Sequence, residues 1–180
     1  LSLFPEGGNL VKGVPCRVAF EASWNDGQWV EGWLQVDEDS IPVFHRGRGY
    51  FVFTPTDKRP KVQFCTFDGK KVSAKLPKIE DDGVALQVIR QGENWNILTS
   101  VAGKLIPNEL AMTVMKQGRI ERIHHAVGQP LVIPVDSLDA GVHQVTVFDA
   151  EGRVYADRLF FSYKKDDMQA GIQIEGIEQQ

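Results

Sequence analysis

The sequence predicts an all-β protein made of two consecutive immunoglobulin- or fibronectin-like β-sandwiches, and three observations carry that expectation. Apolar and polar residues alternate with a period of two along most of the chain, the pattern of strands with one buried face. Turn signals built from Gly, Asn and Asp recur at roughly 8 to 12 residue spacing, as in a seven-stranded sandwich. The most polar break in mid-chain, Lys78-Ile-Glu-Asp-Asp-Gly83, is followed by a clean restart of the pattern. It divides the chain into sandwiches at 1–80 and 83–163, with 164–180 left as a linker or the first strand of a further domain.

In residues 14–22 the inward candidates Cys16, Val18 and Phe20 are separated by polar Arg17 and Glu21, a half-buried strand. Asn25-Asp-Gly27 is a turn, and residues 29–36 alternate again, with Trp33 and Leu34 on opposite faces. A short strand at 41–44 follows the acidic break Asp37-Glu-Asp-Ser40. Gly47-Arg-Gly49 bends into the β-forming run 50–55; a strand follows it and no helix N-terminus, so it lacks what a phosphate loop needs. Residues 61–67, the turn Asp68-Gly69 and residues 71–76 form a hairpin.

Beyond the break, strands are expected at 84–89, 95–101, 110–117, 119–127, 131–135, 142–148 and 154–163. The last two form a hairpin around 149–152. Residues 135–140 invite a helical turn with Asp136 as its cap. The core candidates are Phe4, Val18, Phe20, Phe51, Phe53, Leu86, Val88, Val145, Val147, Leu159 and Phe161. Gly7, Gly8, Asp68, Gly69 and Gly152 are read as turn residues.

The net charge of −4 and isoelectric point near 5.6 give no basic footprint for nucleic acid, which requires clustered Lys and Arg. No stretch approaches the roughly 18 apolar residues that span a bilayer, and residues 1–11 lack the cationic start of a signal peptide. The chain is expected to be soluble as it stands, and Leu1 suggests a piece of something longer.

Candidate chemistry is sparse. His124 and His125 would face opposite sides of a strand, so they would not converge on an ion. No Gly-x-Ser-x-Gly elbow is present. The acidic runs Asp37-Glu-Asp39, Asp81-Asp82 and Asp166-Asp167 lack the alternate spacing of a calcium loop and read as solvated charge. No catalytic residue, metal site or cofactor is assigned. Cys16 and Cys65 are either two small buried side chains or a bridge across a sandwich. Trp24, Trp29 and Trp33 fall within ten residues. They could fill the core, with Trp24 and Trp29 flanking a loop, or Trp24 and Trp29 could form a platform for sugar rings.

Leu3-Phe-Pro-Glu-Gly-Gly-Asn-Leu-Val11, Val18-Ala-Phe20, Gly49-Tyr-Phe-Val-Phe-Thr-Pro55, Lys75-Leu-Pro77 and residues 138–161, in that order, resemble the tandem macroglobulin-type modules of large surface and periplasmic proteins of Bacteroidetes. The resemblance implies seven-stranded sandwiches related to those of alpha-2-macroglobulins. It places them in exported periplasmic, outer-membrane or cell-surface proteins, some with TonB-receptor-like parts. Protease-trapping members carry a reactive Cys in a Cys-Gly-Glu-Gln stretch; neither Cys16-Arg-Val-Ala nor Cys65-Thr-Phe-Asp matches it. The function expected is a non-enzymatic structural or protein-interaction module within a larger exported protein. Its partners would be neighbouring domains of the same chain and a surface protein or glycan. The alternatives are a carbohydrate-binding module and a component of a bacterial protease inhibitor.

Overall fold

The computed structural model describes residues 1–125 and 127–163. Among these the chain is almost wholly β, with two short 3-10 turns at Pro107–Glu109 and Val135–Ser137. The first nine strands are β1 (Ser2–Pro5), β2 (Leu10–Val11), β3 (Cys16–Glu21), β4 (Gly32–Val36), β5 (Asp39–Pro42), β6 (Arg48–Phe53), β7 (Val62–Thr66), β8 (Lys71–Ala74) and β9 (Ile79–Glu80). They form sheets in the orders β1-β3-β6 and β5-β4-β7-β8, plus the pair β2-β9. Val18, Phe20 and Phe51 from one sheet meet Leu34, Val62 and Phe64 from the other in one buried cluster, so the two sheets enclose a core. Complete burial of a Phe20 or Leu34 side chain contributes roughly 1.5–3 kcal/mol.

The remaining strands are β10 (Gly83–Gln91), β11 (Asn94–Ala102), β12 (Leu110–Lys116), β13 (Arg119–His124), β14 (Leu131–Pro134), β15 (Gly141–Asp149) and β16 (Val154–Ser162). Their sheets are ordered β10-β11-β14 and β13-β12-β15-β16. A second core gathers Leu86, Ile97 and Ile133 with Met112, Val145 and Val147.

Three local expectations are corrected. The acidic break is a tight turn at Asp37 and Glu38, with Asp37 at φ 51°; Asp39 and Ser40 already pair with Val36 and Gln35, so β5 starts earlier than expected. The turn at 135–137 has no side-chain cap, and its residue before the first turn is Pro134 rather than Asp136. Phe4, Leu159 and Phe161, expected in the core, are each more than half exposed. In β16 the cause is a bulge: Val147 pairs with Ala156 but Phe148 pairs with Val154, so Tyr155 is extra. One inserted residue exchanges the two faces of a strand. Ala156, Arg158, Phe160 and Ser162 therefore share the inner face with Val147, Val145, His143 and Gly141, their register partners.

Residues 78–83 are built into the structure on both sides. Ile79 and Glu80 pair in parallel with Leu10 and Val11, and the Lys12 amide donates to the Glu80 carbonyl at 2.9 Å. Immediately beyond, Ala85 belongs to the first core while Val84, Leu86 and Val88 belong to the second. Residues 6–9 reinforce the junction. Asn9 Nδ2 donates to the Tyr155 carbonyl at 2.7 Å. Gly7, at φ 81°, lies so near Leu86 that an added Cβ would be 3.0 Å from its Cβ. The buried Glu6 carboxylate pairs with the Arg158 guanidinium. Desolvation raises the Glu6 carboxyl from its ordinary value, against the opposing charges of Arg158 and Arg17, and desolvation lowers Arg158. Residues 164–180, including Asp166 and Asp167, lie outside the described residues.

Candidate ligand-binding cleft

Trp24 and Trp29 are held by a small hairpin between β3 and β4. Gly27 takes φ 84°, the Trp24 amide donates to the Gln28 carbonyl at 2.7 Å and the Gly27 amide to the Trp24 carbonyl at 3.0 Å. Asp26 Oδ1 accepts from the Gln28 amide at 3.0 Å, the local side-chain bond that favours Asp in turns. Ser23 and Trp29 then form a bridge. The turn turns both rings outward, leaving Trp24 43% and Trp29 50% exposed.

The β7–β8 turn supplies the opposite wall. Phe67 is 74% exposed, and its ring centroid lies 5.8 Å from that of half-buried Trp33. Together Trp24, Gln28, Trp29, Glu31, Phe67 and Asp68 line an open cleft of about 540 Å³. Aromatic faces alternate there with carboxylate and amide groups, the combination that binds molecules with apolar C–H faces and polar edges. The sequence reading paired Trp24 with Trp29 but missed Phe67, although an aromatic residue just before Asp68-Gly69 was a signal for an exposed ring at a turn. The fourth tryptophan, Trp95, is buried in the second core, donating Nε1 to Ser162 Oγ at 3.1 Å.

Asp68 organises this wall. Its carboxylate accepts from Thr66 Oγ1 and pairs with Lys70 Nζ at 3.0 Å. The Lys70 ammonium also lies 5.0 Å from the Trp24 ring centroid. The Thr66 hydrogen bond first, then Lys70, lowers the Asp68 pKa from 3.8 to about 2. A carboxyl lowered on folding stabilises the fold above its unfolded pKa and loses that contribution as the pH falls through its folded one. The Phe67 turn is therefore expected to stay ordered down to about pH 4 and to loosen between pH 4 and 2. The Phe67 ring resonances, followed by NMR through that window, check this; an Asp68→Asn variant should be loosened already at pH 7.

No protein-family model matches the sequence, and a search of curated proteins finds no match. Among solved structures it is similar to the fibronectin(III)-like modules of Clostridium thermocellum CbhA, at 8% identity over 97% of this chain and 100% of that one, TM-score 0.31. The human OSCAR ligand-binding domain is 10% identical over 88% of this chain and 96% of that one, TM-score 0.29. The SGBP-B protein of the Bacteroides ovatus mixed-linkage glucan utilization locus, in complex with a mixed-linkage heptasaccharide, is 13% identical over 86% of this chain, TM-score 0.28. This chain spans 43% of that protein's length. The macroglobulin resemblance rests on the sequence motifs alone.

Cys16 and Cys65 are both free and buried, so no bridge joins them. Cys16 points into the first core. Cys65 is the register partner of Trp33, while Leu34 pairs with Phe64, which puts Cys65 on the face of its sheet away from that core. It contacts Gln35 Oε1 at 3.7 Å there. Burial pushes the Cys16 thiol up, and only the thiolate is nucleophilic. Both thiols should resist iodoacetamide in the native protein and react once it is unfolded, each adding one label by mass; rapid native labelling of Cys16 would contradict this.

His143 is fully buried. Its Nδ1 lies 2.7 Å from Glu121 Oε2 and its Nε2 2.8 Å from the Asp139 carbonyl. The Asp139 carbonyl can only accept, so Nε2 donates to it. Its face stacks on Phe160 at 5.2 Å. Glu121 is the extra residue of a second bulge, where Val114 pairs with Arg122 and Met115 with Ile120. This cluster ties β13 to β15 and lies in a different core from the aromatic cleft.

Proposed function

We propose that this chain is a non-enzymatic binding module that holds an extended carbohydrate chain along the cleft between Trp24, Trp29 and Phe67. The observation that carries this reading is the exposure of all three rings on one open cleft beside Gln28, Glu31 and Asp68. Large rings left in water lose the transfer free energy that burial would supply, and contiguous exposed apolar groups mark binding surfaces. The C–H faces of sugar rings can stack on them while hydroxyls reach the neighbouring acceptors. The cleft is shallow, and its one well-tuned carboxylate, Asp68, is held by Thr66 and Lys70. That favours holding over catalysis.

The test is tryptophan emission titrated with a panel of soluble polysaccharides, with iodide quenching in parallel. Trp24 and Trp29 should carry the quenching and one glycan class should suppress it. Replacing both by alanine should weaken that glycan roughly a hundredfold, taking about 1.4 kcal/mol for each stacked ring. Emission that responds to no glycan would remove the reading.

The module would sit as sandwiches at 1–80 and 83–163 in a larger exported protein. A second reading, contact with a neighbouring module of that protein, is favoured by the outer face of β13-β12-β15-β16. Phe161 and Val142 are register partners there, and Ile120, Met115, Gln144 and Leu159 form one cross-strand row. Ile120, Val142, Leu159 and Phe161 are each more than half exposed. A parent protein with bait and thioester parts would make the chain part of a protease inhibitor.

A further inference from the structure

The aromatic cleft continues beyond Trp29. An adjoining depression of about 280 Å³ shares Trp29, Glu31 and Phe67 with it and adds Phe44 and His45. Phe44 and His45 also line a third cleft, of about 490 Å³, which lies over the outward face of β1-β3-β6. Its floor is Ala19, the register partner of both Phe4 on β1 and Tyr50 on β6. Strand spacing puts the backbones of Phe4 and Tyr50 about 9.6 Å apart across that small residue. Phe4 is 52% exposed, Tyr50 42% and Phe44 60%, and the Phe44 and Tyr50 centroids lie 5.2 Å apart. Six exposed aromatic residues thus line three neighbouring depressions that share walls.

The third cleft differs in charge from the first. It is lined by Arg17, Arg48 and Arg158. Arg48 pairs with Glu21 at 2.6 Å and Arg158 with Glu6, but Arg17 has no carboxylate partner among the described residues. Its guanidinium lies 3.6 Å from the Tyr50 centroid, a stacked position that leaves its edge N–H groups available. Glu6, 6% exposed, is paired with Arg158 beside this cleft, and its carboxylate oxygens are closed to solvent. A ligand that completes Arg17 brings a carboxylate for its guanidinium fork. A neutral sugar has none to offer.

We propose that the cleft over Ala19 is a subsite for a uronate residue, so that the extended groove selects an acidic glycan; this rests on the carbohydrate reading above. The uronate carboxylate takes the paired N–H groups of Arg17, and Tyr50 and Phe4 flank the sugar. Charge-assisted bidentate pairing is about twice as strong as a neutral hydrogen bond and is weakened by salt where exposed.

The test is calorimetric titration of the intact chain with matched neutral and uronate-bearing oligosaccharides of equal length, built on β-1,4-glucan, β-1,4-xylan and α-1,4-galactan backbones. One acidic oligomer should bind about tenfold more tightly than its neutral match in low salt, with the ratio falling as salt rises. Arg17→Gln should erase that ratio without changing the neutral affinity, and Arg17→Lys should restore only part of it. The Trp24→Ala, Trp29→Ala variant should weaken both oligomers alike. Equal affinities across every pair that binds, or a ratio that survives Arg17→Gln, would overturn the uronate subsite and leave the carbohydrate reading in place. Absence of binding by every oligomer would overturn both.

Discussion

Replacing His143 with alanine is expected to destabilise the protein by about 3 kcal/mol or more, measured as a fall in the urea midpoint with unchanged slope. The ring is fully buried and lies within hydrogen-bond distance of both the Glu121 carboxylate and the Asp139 carbonyl. Its removal opens a void against Phe160 and leaves a mostly buried carboxylate without its partner. The Glu121 side chain is 20% exposed, so water recovers part of the loss and the value falls at the low end of the range for broken buried pairs. A His143→Leu, Glu121→Leu double variant should recover much of the stability, because apolar groups of similar volume often replace a buried pair without loss. A single variant as stable as the parent would mean that the cluster contributes little.

The second large effect concerns Gly47, which forms the turn before β6 and borders the depression that holds Phe44 and Trp29. It takes φ 75°, and a Cβ there would lie 2.2 Å from the Ala22 carbonyl oxygen, which accepts the Val30 amide of the Trp24–Trp29 hairpin. Gly47→Ala therefore combines left-handed strain, about 1 kcal/mol, with a backbone clash that only a shift of the hairpin relieves. We expect at least about 3 kcal/mol in total. Gly118 is the matched control: its φ is 76° but nothing lies within 4 Å of an added Cβ. Gly118→Ala should cost only the strain, about 1 kcal/mol. Equal losses at the two positions would show that the clash relaxes freely.

The strands were legible in the sequence because period-two alternation is strong in Cys16, Val18 and Phe20 and in His143, Val145 and Val147. The β15–β16 hairpin was read correctly in place and turn, yet its second strand was assigned the wrong inner face. Nothing in Arg153-Val-Tyr-Ala-Asp-Arg-Leu-Phe-Phe161 marks Tyr155 as inserted, since apolar residues occupy both faces there. The bulge at Glu121 was hidden for the same reason. The tryptophan pair was legible as a candidate because Asn25-Asp-Gly27 separates the two rings by a tight turn. Phe67 carried a local signal that was passed over, whereas the arginine cleft was not legible, because it depends on neighbours far apart in sequence: Glu6 with Arg158, Arg17 with Tyr50. The reading of Cys16 and Cys65 as two small buried side chains agrees with the structure, but the face on which Cys65 is buried leaves no trace in the alternation.

The parallel pair β2-β9 has a mechanical consequence. Tension applied through the two ends of the chain pulls β2 from its N-terminal side and β9 from its C-terminal side. Because the strands run in the same direction, this load slides them past each other and strains their hydrogen bonds together, whereas an antiparallel hairpin loaded at its open end is peeled one bond at a time. Leu10 and Val11, both fully buried, anchor β2 in the interior. Stretched between neighbours, the first half of the molecule is expected to resist extension at this short clamp and to yield abruptly once it slips.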